Sequence, residues 1–251
     1  MTRLSPPTLH CCPTCAGYFT RSVLTSLHYY GDVPHWSDGK NEQWWVGLTG
    51  PAGRCPTCLA IVWVDDATAL MPAPQEPRTI GALPRLWHLL TRDRSGRLRD
   101  EQTWASLPLA IKDAERLVGL CTTQDYVDAL ARTDPLPHDR EEYLRRKLWW
   151  ASNDHLRRDS NALTLDVDAA RANMERLLVL LPSTPTLERV ELYRQLGRFR
   201  EALDLIPSVT PDSWVKADLQ RKWAEAGDST MRVIPLQAAA YDRNSQRRAV
   251  V

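Results

Sequence analysis

The stretch Cys12-Pro13-Thr14-Cys15 recurs letter for letter as Cys55-Pro56-Thr57-Cys58, with residues 16–54 between the two copies. Two cysteines three positions apart on a tight turn can both direct their sulfurs at one metal ion. Two such turns together supply four thiolates, which form the closed ligand set of a structural zinc site. The sequence therefore predicts one structural Zn²⁺ per chain, with Cys12, Cys15, Cys55 and Cys58 as its ligands.

Glycine commonly follows the second cysteine of such a turn, because the backbone needs a conformation that other residues disfavour. Ala16 and Leu59 occupy the two corresponding positions here. Gly17 can take over the turn in the first copy, whereas the second copy has no substitute.

Other uses of the cysteines stay open at this point. Cys11 adjoins Cys12 and can replace it as a ligand, although the repeat of CPTC favours Cys12. A thioredoxin-like dithiol needs a βαβ context that neither motif has, and the usual spacings of an iron–sulfur cluster are absent. Cys121 lies on an apolar stretch, where we expect a small buried core residue.

The residues around the two motifs indicate a small β-rich unit. Residues 60–64 are β-branched and aromatic, which is typical of a strand, and they follow the second motif directly. Residues 18–19 and 27–30 are weaker strand candidates. A strand leaving each cysteine turn is the zinc-ribbon arrangement, and we assign this unit to residues 1–71.

A proline-rich segment at residues 72–78 marks the expected linker, because prolines are excluded from helix interiors and central strands. Residues 91–103, with several arginines around Ser95-Gly96, are interpreted as a charged loop. From there the chain reads as successive helices up to residue 227, with expected starts at Thr122, Asp139 and Asp168. Residues 228–251 show no firm pattern and are expected to form a tail.

Residues 192–206 contain the most diagnostic helical pattern. Tyr193, Gly197, Phe199, Ala202 and Ile206 have the spacing of a tetratricopeptide helical hairpin. Glycine turns the chain between the helices, alanine allows their close approach, and the aromatic side chains fill the seam. Gly227 and the tryptophans before it suggest a second, degenerate unit.

An aromatic segment lies between the two cysteine motifs. Exposed tryptophan and tyrosine side chains are frequent anchors of binding sites, so this segment is a candidate recognition surface. The alternative interpretation is that it packs against the helices. The candidate binding residues are Tyr30, Trp36, Asp38, Trp44 and Trp45.

Composition excludes several function classes. The net charge of +1 provides no global field for nucleic acid or anionic membrane. The apolar runs are too short to cross a bilayer, and no signal-like stretch begins the chain, so we expect a cytoplasmic protein. No Gly-rich phosphate loop, HExxH, GxSxG or paired-carboxylate motif nominates a catalytic residue, so we expect a protein that is not an enzyme.

The CPTC pair, residues 36–40, Trp63, residues 149–154 and the hairpin at residues 196–203 together resemble a group of uncharacterised bacterial proteins. In that group an N-terminal zinc-ribbon-like unit precedes tetratricopeptide-like helices. The resemblance covers most of the chain and implies a bacterial cytosolic protein, without an activity or substrate to transfer.

The sequence thus predicts an α+β protein, with a zinc-ribbon-like β unit followed by a helical body at residues 79–227. We expect a non-enzymatic adaptor that binds a protein partner. The first alternative is a nucleic-acid-associated protein that uses the ribbon and the basic helix at residues 145–158, although the net charge disfavours nucleic acid. The second alternative is a thiol oxidoreductase that uses a CxxC pair.

Overall fold

The computed structural model describes residues 3–26, 34–40, 50–77, 94–132, 134–157, 164–209 and 214–235. The chain divides into two compact units, Met1–Tyr29 with Trp45–Leu120 and Tyr30–Trp44 with Cys121–Val251. The strands are β1 (Arg3–Leu4), β2 (Thr8–Cys11), β3 (Tyr18–Arg21), β4 (Leu24–Ser26), β5 (His35–Trp36), β6 (Ala52–Arg54), β7 (Ile61–Trp63), β8 (Thr68–Pro72), β9 (Val118–Gly119) and β10 (Val233–Ile234). The α-helices are α1 (Arg94–Ser106), α2 (Leu109–Lys112), α3 (Thr123–Leu130), α4 (His138–Ser152), α5 (Asp154–Arg157), α6 (Val167–Leu180), α7 (Leu187–Gln195), α8 (Phe199–Leu205) and α9 (Trp214–Glu225). The predicted α+β class is confirmed.

Small antiparallel sheets build the first unit, which we call the β unit. One sheet has the strand order β3-β2-β8, another has the order β7-β6-β9, and β1 pairs with β4. A strand leaves each cysteine motif as expected, β3 after the first and β7 after the second. The strand predicted at residues 27–30 lies outside the described residues.

The core of the β unit is formed around two of the cysteines. Cys12 and Cys55 are buried with four apolar side chains, Phe19, Val62, Val64 and Leu117. Gly53 in β6 is required there, since an added Cβ would lie 2.6 Å from the carbonyl oxygen of Val118. The close approach of β9 to β6 therefore depends on a residue without a side chain.

The charged loop expected at residues 91–103 was wrong in part, because α1 covers Arg94–Ser106. Residues 97–102 are almost all strong helix formers, whereas the breakers Ser95 and Gly96 fall in the first turn. The hydroxyl of Thr103 also donates to the carbonyl of Arg99 at 2.8 Å. The many charged residues suggested a loop, but the high helix propensity of these residues favours a helix instead.

Helices form most of the second unit, which we call the helical unit. Thr122 begins α3 with a capping box, in which its side chain and that of Asp125 exchange hydrogen bonds with each other's backbone amides. The N-cap of α6 was predicted at Asp168, which was wrong by two residues. The side chain of Asp166 caps this helix by accepting hydrogen bonds from the backbone amides of Asp168 and Ala169. Likewise α4 begins after Pro137 rather than after Asp139.

Glycines end two of these helices in the same way. Gly197 has φ of 73° and Gly227 has φ of 67°. The amide of Arg198 bonds to the carbonyl of Tyr193 at 2.8 Å, and the amide of Asp228 bonds to that of Trp223 at 2.9 Å. Both ends are Schellman motifs, in which a left-handed glycine lets the following amide satisfy a free helix carbonyl.

Two apolar clusters join the helices. In one, Trp149 of α4 packs with leucines of α6 and α7. In the other, Ala202 of α8 and two alanines of α9, Ala217 and Ala224, pack against Val190 of α7. The small alanine side chains allow α7, α8 and α9 to approach closely.

The units differ from the expected boundaries in two places. Residues 34–40 belong to the helical unit, where β5 pairs antiparallel with β10 in the expected tail. The proline-rich segment lies within the sequence range of the β unit, where Pro72 ends β8 and the amide of Ala73 donates to the carbonyl of Pro7 at 2.8 Å.

Candidate metal centre

Four sulfur atoms converge in the β unit. The Sγ atoms of Cys12, Cys15, Cys55 and Cys58 all lie within 4.8 Å of one another. The Sγ atoms of Cys12 and Cys58 are 4.0 Å apart, and those of Cys15 and Cys55 are 3.9 Å apart. These separations are far longer than a disulfide bond, which measures about 2.05 Å. The four predicted ligands therefore form one cluster that can hold a metal ion.

The backbone of the two cysteine turns is the same. We call residues 12–17 the first knuckle and residues 55–60 the second knuckle. In each, the amide four residues after the first cysteine donates to that cysteine's carbonyl at 2.9 Å. The first cysteine's own amide donates to the carbonyl five residues later, at 2.8 Å in the first knuckle and 2.9 Å in the second. The identical letters thus fold into identical turns that present their sulfurs to a common centre.

Ala16 and Leu59 adopt the left-handed conformation that glycine usually provides. Their φ angles are 57° and 59°, and among the described residues no other non-glycine has a positive φ. Such a conformation costs an L-residue roughly 1–2 kcal/mol. Strained backbone of this kind persists where the surrounding structure requires it, and both instances here follow a cysteine of the cluster.

Gly17 has a different role from the one expected of it. The positive φ in the first knuckle falls on Ala16, so Gly17 does not take over that turn. A Cβ on Gly17 would lie 2.9 Å from Oγ1 of Thr57 in the second knuckle and 3.2 Å from Sγ of Cys15. Gly17 therefore allows the two knuckles to come close enough for their sulfurs to meet.

Backbone amides and neighbouring thiols control the ionisation of the cluster. Burial opposes ionisation of Cys12, but hydrogen bonds from the backbone of Cys15 and Thr14 outweigh it and lower the pKa to about 7. The Gly17 amide favours the Cys15 thiolate, yet Cys58 and the other thiols raise the pKa of Cys15 to about 12. The Cys12 thiol therefore ionises more readily than the Cys15 thiol. A cation at the centre removes this difference, because it compensates the charge of all the thiolates.

The remaining cysteines do not join the cluster. The thiol of Cys11 points to the backbone, 3.5 Å from the carbonyl oxygen of Ala16, so the cluster contains Cys12 and not Cys11. Cys121 is exposed, and the expectation of a buried core residue was wrong. It precedes the capping box of α3, where its amide donates to Asp125.

The structure places two of the five candidate binding residues inside the helical unit. Trp36 and Asp38 are 9% and 2% exposed. Asp38 forms an ion pair with Arg157 and accepts a hydrogen bond from Asn153 at 3.0 Å. Neither side chain is offered to a partner in this conformation. Tyr30, Trp44 and Trp45 lie outside the described residues.

Ser37 belongs to a buried polar network that the sequence interpretation missed. Its hydroxyl donates to Glu191 at 2.6 Å, and Glu191 forms a two-pronged ion pair with Arg194 at 2.7 and 2.9 Å. Gln220 reaches both the carbonyl of Ser37 and the guanidinium of Arg194. The available signal was the i, i+3 spacing of Glu191 and Arg194, but such pairs usually lie on exposed helix faces.

In the parts of the chain that the structure describes, no helix is both long enough and apolar enough to cross a membrane. Neither protein-family models, nor curated proteins, nor solved structures match the chain. Any functional assignment must therefore rest on the four-cysteine cluster and on the surfaces of the two units.

Proposed function

We propose that the cluster is a structural zinc site and that the protein acts by binding another protein rather than by catalysis. The observation that carries the zinc assignment is the spacing of the sulfurs. With Zn–S bonds of about 2.3 Å, the sulfurs of a regular tetrahedron lie about 3.8 Å apart. Two of the separations, 3.9 and 4.0 Å, are close to that value.

The chemistry of the ligand set supports zinc over harder cations. Thiolates select zinc and other soft metals, whereas calcium and magnesium require oxygen ligands. Four protein ligands leave no coordination position for water or substrate, so the proposed ion stabilises the β unit and performs no reaction. Amides of Thr14 and Gly17 support the site, each lying 3.4 Å from the sulfur of Cys12 or Cys15.

Metal analysis of the purified protein tests the first half of the proposal. We expect about one zinc per chain in the wild type, a loss of zinc in Cys55→Ser, and wild-type content in Cys11→Ser. Cys11 is the matched control, since it adjoins a ligand but points away from the cluster. A metal-free protein that stays folded and cycles between dithiol and disulfide would instead favour the thiol oxidoreductase.

The helical unit supports the second half of the proposal. Helices α7 and α8 form a hairpin with Gly197 at its turn and with Ala202 and Ile206 buried at its seam. This arrangement agrees with the tetratricopeptide-like spacing, and hairpins of that kind commonly present grooves to partner proteins.

Partner capture followed by reconstitution tests this half. Cross-linked partners from the source organism would be purified separately, and their binding would be measured by calorimetry with wild type and with charge-reversal variants of exposed helical residues. A purified partner that binds the folded protein in defined stoichiometry is expected. Sequence-independent binding of RNA or DNA that weakens steeply with salt would instead support the nucleic-acid alternative.

A further inference from the structure

A cavity of about 420 Å³ opens within the helical unit, separate from the metal centre. One wall is a single face of α6, formed by residues 167, 170, 171 and 174 at the i, i+3, i+4, i+7 spacing of a helix. The end of α4 and the start of α5 form a second wall, and the C-terminus of α7 closes the third side. The volume lies in the range of small-molecule sites, about 300–1,000 Å³.

Part of the cavity lining is apolar. Leu165, Val167 and Met174 line it with part of their surface exposed, and Met174 also packs against the apolar cluster that joins α4, α6 and α7. Trp149 and Leu196 touch the cavity from within that cluster, although they are only 1% and 7% exposed. Small-molecule sites commonly combine apolar lining of this kind with a few polar groups.

One charged group of the cavity favours an anion. Arg171 lines the cavity and is exposed, and it forms no ion pair or hydrogen bond with the residues that the structure describes. No carboxylate is among the described lining residues, and the nearby Asp154 is paired with Lys40 and Arg157.

We propose that this cavity binds a small aromatic anion, with Arg171 pairing the acidic group and Leu165, Val167 and Met174 contacting the ring. Guanidinium groups bind carboxylates, sulfonates and phosphates through charge-assisted hydrogen bonds, and those bonds strengthen at the edge of an apolar cavity. The site lies in the helical unit and makes no use of the metal.

Two dyes of the same shape test the proposal. Anilinonaphthalene sulfonate is an aromatic anion, and phenylnaphthylamine has the same ring system without the charge. We expect the anionic dye to bind the full-length protein saturably, with one site per chain and higher affinity than the neutral dye. Arg171→Ala should weaken the anionic dye about tenfold and leave the neutral dye unchanged.

Matched variants distinguish the cavity from general surface adsorption. Ala170→Phe fills the cavity and should abolish binding of both dyes, whereas Ala172→Phe on the exposed side of the same helix should bind both as the wild type does. Arg221→Ala, an exposed arginine on α9, controls for loss of charge alone. The proposal is overturned if Arg171→Ala binds the anionic dye with wild-type affinity, or if Ala170→Phe and Ala172→Phe behave alike. Thermal unfolding of each variant confirms that it is folded.

Discussion

At the scale of single residues, the two knuckles hold alanine and leucine in a backbone conformation that suits glycine. The strain at Ala16 and Leu59 is the local cost of directing the sulfur of the preceding cysteine toward the common centre. Leu59 is 66% exposed, so its side chain contributes little packing in return.

Replacing either residue by glycine should therefore stabilise the β unit. We expect Ala16→Gly and Leu59→Gly each to raise the free energy of unfolding by about 0.5–1 kcal/mol, after subtracting the greater freedom of glycine in the unfolded chain. Urea denaturation of the metal-loaded protein measures this. Leu59→Ala keeps the strained φ while removing the side chain, so it should gain nothing, and a gain equal to that of Leu59→Gly would contradict the argument.

Buried charge gives a second prediction at this scale. The side chains of Asp38 and Arg157 are 0% and 1% exposed, so removing the carboxylate leaves a buried cation whose remaining counter-ion is Asp154, a side chain that is 30% exposed. Asp38→Ala should cost about 3–5 kcal/mol of unfolding free energy. The control Asp218→Ala breaks an ion pair whose side chains are 59% and 66% exposed, and should cost less than about 1 kcal/mol. Comparable losses in thermal or urea unfolding would show that Asp38 is not buried in solution.

At the scale of elements, Glu141 ties α4 to α6. It bonds to Arg176 of α6 at 2.7 and 2.9 Å and to Arg145 of its own helix at 2.6 Å. The hydrogen bonds from Arg176 are the largest influence, and with Arg145 they outweigh burial and lower the pKa of Glu141 from 4.5 to about 2. The folded state thus binds a proton at Glu141 less readily than the unfolded state does.

This difference makes stability depend on pH in a defined direction. The contribution of Glu141 is fully present above about pH 4.5 and is lost as the pH falls toward 2. Glu141→Gln should lower the unfolding free energy near neutral pH by about 1 kcal/mol, and the gap to wild type should close as the pH falls from 4.5 to 2. Denaturation across that pH range measures the gap. A gap that stays constant down to pH 2 would exclude the carboxylate as its cause.

Local chemistry made some elements predictable from sequence and left others hidden. The capping box at Thr122, the glycine stops at Gly197 and Gly227 and the strands after the knuckles follow from contacts within a few residues. Helix α1 was missed because its charges suggested a solvated loop. The N-cap of α6 was predicted two residues too late, because Asp166 and Asp168 are equally favourable N-cap residues when the sequence alone is considered.

At the scale of the whole molecule, residues 34–40 belong to the helical unit, although the β unit takes residues from both sides of them in the sequence. Sequence reasoning placed that segment with the ribbon, because its partners are distant in sequence. Trp150 and Asn153 bond to Asp38 across more than a hundred residues, and Gln220 bonds to Ser37 across still more. Long-range pairings of this kind leave no periodic signal.

Metal removal should affect the two units unequally. The cluster lies entirely within the β unit, whereas the helical unit has apolar clusters of its own. We expect a chelator to increase hydrogen exchange strongly in residues 8–21 and 52–63 and to leave residues 187–205 protected. Exchange measured by mass spectrometry with and without chelator, with Cys55→Ser as a permanently metal-free reference, gives the comparison. Equal loss of protection in both units would show that the metal stabilises more than the β unit.

Cobalt substitution tests the four-thiolate site most directly, because Co²⁺ absorbs visible light strongly only in tetrahedral sites and its thiolate ligands add intense near-ultraviolet bands. Titration of the metal-free protein should give tetrahedral, thiolate-rich spectra that saturate at one equivalent and disappear when zinc is added. Cys11→Ser should reproduce those spectra, whereas Cys12→Ser should lose intensity in the thiolate bands. A weak octahedral spectrum, or equal effects of the two substitutions, would contradict a closed site formed by Cys12, Cys15, Cys55 and Cys58.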